Sequence, residues 1–147
     1  MTDAAKPFGS SIDAADIVEN LGFFDSWEDR YRYIIDLGRE LPPLPEALRS
    51  DDRLVRGCQS QVWIDVTRSG DGRLQLAVDS DAFIVKGLLA VVLAAYNNKT
   101  PQEIMDFDVD AYFETLGLMQ HLSPTRGNGL RAMVARIRDE ARASTGN

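Results

Sequence analysis

The sequence predicts an α+β fold in which helices pack on one face of a small antiparallel sheet. Two segments, 62–67 and 73–78, alternate apolar and polar residues with the period of two that a half-buried strand requires. A Ser-Gly-Asp-Gly stretch at 69–72 separates them, and its Asp-Gly pair favours the tight turn of a hairpin. Helical patterns lie on both sides, and the order helix, helix, hairpin, helices is typical of the α+β class.

Two helices are predicted before the hairpin. Apolar residues recur at helical spacing between positions 13 and 24. Ser26 followed by Asp29 is typical of a capping box and should begin the second helix. Prolines at positions 42, 43 and 45 cannot continue that helix, because each lacks an amide donor. The stretch 41–55 is therefore predicted to be a surface loop with at most one short helical turn.

Four helices are predicted after the hairpin. The run 83–96 is apolar almost all round, so it should be a helix buried against the sheet, capped by Ser80 or Asp81. The Thr-Pro-Gln-Glu sequence at 100–103 combines a cap with a first-turn proline and predicts a short helix to about position 106. A helix over 109–116 should stop at Gly117, and Ser123 should open the last helix.

Composition restricts the class of protein. A chain of 147 residues with 44% hydrophobic content is expected to form one domain over 1–147, with residues 1–12 predicted to be flexible. The formal charge of −7 leaves no basic stripe for phosphate contacts, so nucleic acid is not an expected partner. The N-terminal residues lack the features of a signal or transit peptide, and no apolar run could span a bilayer, so a cytoplasmic location is expected.

Cys58 is the only cysteine of the chain. A lone thiol cannot form an internal disulfide or a site built on several thiolates, so sulfur chemistry would run through Cys58 and a partner. Cysteine is often a small buried hydrophobe, but the sequence around Cys58 is polar on both sides and Gly57 leaves the backbone open. Arg56 could lower the thiol pKa, or it could be a solvated loop charge. This pattern is compatible both with a reactive cysteine and with a structural one.

The other polar clusters are weaker signals. His121, the only histidine, could pair with Cys58 in a cysteine hydrolase, although a structural or exposed histidine is the commoner case. The acidic run 79–81 is interpreted as the cap of a helix, and no metal site is predicted. The Gly-Asn-Gly sequence at 127–129 lacks the strand and lysine of a phosphate-binding loop, so it is interpreted as close packing or a local helix irregularity.

A set of motifs spread over most of the chain is more specific than these features. A proline-rich stretch at 41–45 precedes the run Gly-Cys-Gln-Ser-Gln-Val-Trp at 57–63. Asp-Ser-Asp-Ala follows at 79–82, Ile-Val-Lys-Gly-Leu at 84–88, Thr-Pro-Gln at 100–102 and His-Leu-Ser-Pro-Thr-Arg at 121–126. Together these motifs resemble the SufE family of sulfur-acceptor proteins, which includes CsdE. The resemblance implies a SufE/IscU-like α+β fold with the cysteine on a loop at the tip of the sheet.

The resemblance also implies a function. In this family the motif cysteine accepts sulfur as a persulfide from a pyridoxal-phosphate-dependent cysteine desulfurase, of the SufS or the CsdA type. The family member stimulates the desulfurase, supplies sulfur to the SufBCD scaffold complex for iron-sulfur cluster assembly, and holds no cofactor of its own. Cys58 matches the sulfur-carrying position, so the chain is expected not to be a stand-alone enzyme.

Supporting roles are expected at five further positions, namely Gly57, Gln59, Arg126, Asp81 and Arg56, of which Arg56 departs from the family pattern and adds a charge next to the cysteine. Arg126 is implied to lie near the cysteine loop, where its charge would stabilise a thiolate or persulfide. Asp81 is implied to help hold that loop in its resting position. The alternatives for these two residues are a surface ion pair and an ordinary helix cap.

Two other functions stay open. One is a cysteine hydrolase that uses Cys58 and His121. The other is a regulatory module that binds the desulfurase without carrying sulfur.

Overall fold

The computed structural model describes residues 8–9, 12–41, 43–57 and 60–145. Within these ranges the chain forms seven helices and a two-stranded antiparallel sheet, which confirms the predicted α+β class. The helices are α1 (Ala14–Gly22), α2 (Trp27–Arg39), α3 (Phe83–Tyr96), α4 (Pro101–Asp106), α5 (Val109–Leu116), α6 (Leu118–His121) and α7 (Pro124–Thr145). The strands are β1 (Val62–Arg68) and β2 (Leu74–Ser80), and a short 3-10 helix spans Glu46–Leu48.

The hairpin forms where the alternating pattern predicted it. β1 and β2 pair in antiparallel register from Val62 opposite Ser80 to Arg68 opposite Leu74. The nearly uniformly apolar α3 packs against β2, and its residues from Gly87 to Tyr96 are all buried. A helix that is apolar on every side needs cover on every side, so α3 forms the centre of the core.

Local capping signals set most helix boundaries. The Ser26 hydroxyl accepts a hydrogen bond from the Asp29 amide at 3.2 Å, which is the first half of the predicted capping box. At α4 both halves are present between Thr100 and Glu103. α5 ends at Gly117, as predicted. The four-residue helix α6 was not predicted, because so short a segment has no readable periodicity.

The predicted cap of α3 is wrong. The helix begins after Ala82, whose side chain caps nothing, and the Ser80 hydroxyl only accepts a 3.3 Å hydrogen bond from the Ala82 amide. The Asp81 carboxylate instead accepts from the amide of Gln61 at 3.0 Å. A contact between residues 20 positions apart therefore takes the side chain that local sequence assigned to the helix.

The stretch 41–55 is a surface loop only in part. It contains the single short helical turn that was predicted, as the 3-10 helix. Leu41, Leu44 and Val55, however, are buried in the core. Burial of these apolar side chains ties the segment to the body of the protein, which the prolines alone could not reveal.

The N-terminal stretch also contacts the core. Phe8 is fully buried, and its carbonyl accepts a 2.9 Å hydrogen bond from the Asn97 side chain. The Gly9 carbonyl accepts from the Lys99 ammonium at 2.7 Å. Residues 1–7, 10 and 11, which belong to the same predicted flexible stretch, lie outside the described residues.

α2 and α3 approach each other more closely than most helices. A Cβ built on Gly38 would lie 2.5 Å from the Gly87 amide nitrogen, and one built on Gly87 would lie 2.3 Å from the Ile34 carbonyl oxygen. Only glycine allows such backbone contact. This contact fixes α2 against the central helix.

Candidate functional site

The cysteine loop, residues 56–61, connects a short segment that is bridged to β1 with the start of β1 itself. We call residues 52–55 the incoming arm. The Val55 amide donates to the Val62 carbonyl at 2.8 Å, and the Ile64 amide donates to the Arg53 carbonyl at 2.9 Å. The arm therefore runs antiparallel to β1, and the described residues on either side of Cys58 lie at the start of β1. Cys58 and Gln59 lie outside the described residues.

Asp81 is hydrogen-bonded to the side of the loop that leads into β1. Its Oδ1 accepts from the Gln61 amide at 3.0 Å, and its own amide donates to the Gln61 carbonyl at 3.3 Å. Hydrogen bonds to a carboxylate are stronger than those between neutral groups. The backbone three residues after Cys58 is thus anchored to the junction of β2 and α3.

Gly57, on the other side of the loop, lies close to α7. Its φ is +93°, in the region that favours glycine, and a Cβ built there would lie 3.3 Å from the Ala132 Cβ. A side chain at this position would be strained and would push against α7. Arg56, immediately before it, is exposed to solvent.

Arg126 and His121 belong to a cluster at the start of α7. The Arg126 guanidinium donates to the Tyr31 hydroxyl at 3.2 Å. The His121 ring stacks on Trp27 with centroids 4.4 Å apart, and its Nδ1 lies 2.9 Å from the Gly117 carbonyl oxygen. Arg126 precedes the Gly57 contact on α7 by six residues, or about 9 Å of helix rise. It thus lies on the helix that borders the cysteine loop.

The proline-rich segment before the loop is anchored by Asp79, whose side chain is only 2% exposed. Its Oδ2 accepts from Arg49 at 2.6 Å and from the Leu44 amide at 3.0 Å. Its Oδ1 accepts from the Ser80 amide at 2.8 Å and lies 3.3 Å from the Lys86 ammonium. One carboxylate therefore joins the segment after α2, the end of β2 and the first turns of α3.

The Asp79 carboxylate is held in its ionised form. Burial alone would favour the neutral acid, but hydrogen bonds from the Leu44 and Ser80 amides and the Lys86 ammonium outweigh it. The pKa of Asp79 is consequently lower than its ordinary value of 3.8. In the acidic run at 79–81, Asp79 thus binds the segment before the cysteine loop and Asp81 binds the loop itself at Gln61. Neither carboxylate caps α3.

Two arginines hold the incoming arm, and no sequence motif predicted a role for either of them. The Arg53 guanidinium donates to Asp65 on β1 at 2.7 Å. From α7, Arg136 donates to the carbonyls of Asp52 and Leu54 at 2.7 and 3.3 Å. The Arg136 contacts span 84 and 82 positions of sequence, so no local motif could have revealed them.

In the part of the chain that the structure describes, no group of three His, Cys, Asp or Glu side chains could hold a metal ion. None of the helices in the same ranges is long and apolar enough to cross a membrane. The Gly-Asn-Gly sequence lies within α7, where Gly127 packs close to the Met119 methyl group.

The fold and the loop define a small α+β protein in which helices cover a hairpin and a single-cysteine loop lies at its end. The family model described as "SufE: Fe-S metabolism associated domain" matches residues 15–141. An uncharacterised SufE-like protein of Rhizobium etli is 46% identical over 145 residues, which cover 97% of each chain. The chain belongs to the SufE family, which confirms the resemblance in the motifs, and the family description associates it with iron-sulfur metabolism.

A solved structure supports the fold. The solution structure of a hypothetical protein from Thermus thermophilus superposes with a TM-score of 0.74, covering 91% of this chain and 96% of that chain. Its sequence identity is 18%, so the likeness concerns architecture alone.

Proposed function

We propose that this protein carries sulfur as a persulfide on Cys58, which it accepts from a cysteine desulfurase and delivers for iron-sulfur cluster assembly. The observation that carries the proposal is that the only cysteine of a SufE-family chain lies within the Gly-Cys-Gln-Ser-Gln run. Of the described flanks of this run, Gln61 is hydrogen-bonded to Asp81, and Gly57 lies close to Ala132 of α7. A loop fixed at its base can present one thiol to a partner while the rest of the fold stays rigid.

Sulfur acceptance is a thiol exchange that needs no external oxidant. The Cys58 thiolate attacks the terminal sulfur of the donor persulfide, and a new S–S bond forms on Cys58. The S–S bond within the donor breaks, and the donor cysteine leaves as a thiolate that takes a proton from solvent. Arg126 and Arg56 would raise the reactive fraction of Cys58, because a nearby cation favours the thiolate. Asp81 would hold the loop in its resting position through Gln61.

The partners follow from this role. The donor is a desulfurase of the SufS or the CsdA type, which the carrier stimulates by removing sulfur from it. The SufBCD scaffold complex receives the sulfur. Pyridoxal phosphate belongs to the desulfurase, so the carrier needs no cofactor and is not an enzyme by itself. The exchange would take place in the cytoplasm, where thiols are kept reduced.

Mass spectrometry of the intact protein tests the carrier role. After incubation with an active cysteine desulfurase and cysteine, the wild type is expected to gain one or more sulfur atoms, and a reductant should remove them. Cys58→Ser should gain none, because a serine hydroxyl does not take up sulfane sulfur.

Two results would contradict this expectation. One is no gain by the wild type with a desulfurase that is active and binds it. The other is Cys58→Ser stimulating desulfurase turnover as strongly as the wild type under the same reductant, which would indicate a regulatory module.

We further propose that the desulfurase docks on Phe83, beside the cysteine loop. Phe83 is the first residue of α3, two positions after Asp81, and is 71% exposed. Aromatic side chains, phenylalanine among them, are enriched in protein interfaces relative to the rest of the surface. Phe23 is similarly exposed, at 74%, but it precedes α2. The Asp79 carboxylate contacts both Leu44, which follows α2, and Lys86 in α3, so the end of α2 lies near the start of α3. Phe23 precedes α2 and therefore lies at the other end of that helix, away from Phe83.

Phe83→Ser is expected to raise the KM of the desulfurase for the carrier about tenfold, the effect of losing roughly 1.4 kcal/mol of binding. The maximal rate should stay unchanged, because Phe83 takes no part in the chemistry. Steady-state kinetics with increasing carrier concentration measure both constants. Phe23→Ser is the matched control and should behave like the wild type. Equal effects of the two substitutions would exclude a specific docking role for Phe83.

A further inference from the structure

One side of the incoming arm pairs with β1. The Val55 amide donates to the Val62 carbonyl, the Arg53 carbonyl accepts from the Ile64 amide, and Leu54 forms an antiparallel bridge with Trp63. Asp52 and Arg53 lie in a turn that precedes this bridge. Backbone carbonyls that so short a pairing does not satisfy need other partners to keep the segment in place.

Arg136 supplies those partners from α7. Its Nη2 donates to the Asp52 carbonyl at 2.7 Å and its Nη1 to the Leu54 carbonyl at 3.3 Å. The guanidinium is planar and carries donors in a fixed fork, which suits two carbonyls on one edge. Glu140, one turn further along α7, lies 3.4 Å from the Arg136 Nε and steadies the side chain.

The same face of α7 also contacts the loop itself. Ala132 lies four residues before Arg136, on the same side of the helix, and borders Gly57. The side chain of Arg136 is 26% exposed, so it lies between the arm and the helix rather than extending into solvent. α7 thus contacts the chain at Asp52, at Leu54 and beside Gly57, the residue before Cys58.

We propose that Arg136 is a positioning residue for sulfur transfer: it fixes the incoming arm on α7 and so sets the place from which Cys58 meets the donor persulfide. This inference rests on the proposed carrier function. Transfer requires the attacking thiolate to approach along the line of the S–S bond that breaks in the donor persulfide. A cysteine loop whose incoming arm is loosely held would spend less time in that geometry. Arg136 acts through the backbone of the arm and does not contact the reacting atoms.

Hydrogen exchange of the isolated protein tests the structural half of the proposal. In Arg136→Gln the protection of the Val55 and Ile64 amides, which join the arm to β1, should fall about tenfold. Hydrogen bonds from a charged donor contribute at least that factor. Arg136→Lys should recover part of the protection, because an ammonium lacks the planar fork. Arg142→Gln, on the same helix, removes an ion pair with Asp139 and should leave both amides unchanged.

Single-turnover transfer from a persulfidated desulfurase tests the functional half. Arg136→Gln should lower the maximal transfer rate about tenfold with little change in the carrier concentration that gives half of that rate. Arg136→Lys should again be intermediate. Asp81→Ala, which releases the side of the loop that leads into β1, serves as the reference for a loosened loop and should show the same pattern.

Specific results would overturn the proposal. Unchanged protection of Val55 and Ile64 in Arg136→Gln would mean that the arm does not depend on this side chain. A higher half-saturating concentration at an unchanged maximal rate would assign Arg136 to docking instead. If the wild type accepts no sulfur, the carrier function fails and the transfer role of Arg136 fails with it, while hydrogen exchange still decides whether Arg136 holds the arm.

Discussion

Gly87→Ala is expected to destabilise the protein by about 3 kcal/mol, the upper end of the usual cost of overpacking. The new methyl group would lie 2.3 Å from the Ile34 carbonyl oxygen and 2.8 Å from its Cγ2 atom. A backbone oxygen cannot turn aside as a flexible side chain can, so α2 and α3 would have to separate. Urea unfolding should show this loss, and for a chain of this size the Tm should fall by roughly 10 °C.

Gly22→Ala provides the control for this substitution. Gly22 is the last residue of α1, and a Cβ built there has no atom within 4 Å. The same methyl group should therefore leave stability unchanged or raise it by about 0.5 kcal/mol, through the smaller entropy of the unfolded chain. If both variants lost stability equally, the contact between α2 and α3 would not be the cause.

Asp79→Asn is also expected to cost about 3 kcal/mol near neutral pH, the magnitude found when one partner of a buried ion pair is removed. Asparagine keeps the shape of the side chain, but it leaves Arg49 and Lys86 without their shared counter-ion. The segment that leads to the cysteine loop should loosen as well, because Leu44 is held by the same carboxylate. Urea unfolding at pH 7 measures the loss.

The pH dependence identifies the charge as the source of this effect. The pKa of Asp79 is lower in the folded protein than its ordinary value of 3.8, so ionisation stabilises the fold. That contribution is complete above about pH 5 and is lost as the pH falls through 3.8 toward the folded pKa. The stability difference between wild type and Asp79→Asn should therefore shrink over this acidic range.

A surface carboxylate serves as the comparison. Asp36 pairs with Arg39 at 3.3 Å but is 58% exposed, so Asp36→Asn should change stability by less than about 1 kcal/mol. A stability difference for Asp79→Asn that stayed constant from pH 7 to pH 3 would mean that lost packing, rather than lost charge, explains it.

Much of the fold could be predicted from short-range patterns. The alternation on either side of the Asp-Gly turn predicted β1 and β2, and the Thr100 capping box and Gly117 predicted the bounds of α4 and α5. These signals act within a few residues, so a sequence states them directly. The family followed from the motif around Cys58, whose specificity lies in residue order rather than in energetics.

The anchoring of the cysteine loop was decided by the tertiary structure. Asp81 could have capped α3, but it hydrogen-bonds Gln61, and the two uses are worth similar energies of about 1 to 2 kcal/mol. Local sequence cannot choose between partners so evenly matched, since the choice depends on which backbone arrives beside the side chain. Arg136 meets the incoming arm only after more than 80 residues of chain have folded between them. The sequence by itself therefore determined most of the elements, the family and the candidate cysteine. Tertiary packing determined which side chains hold the loop, because those contacts join groups that no local pattern connects.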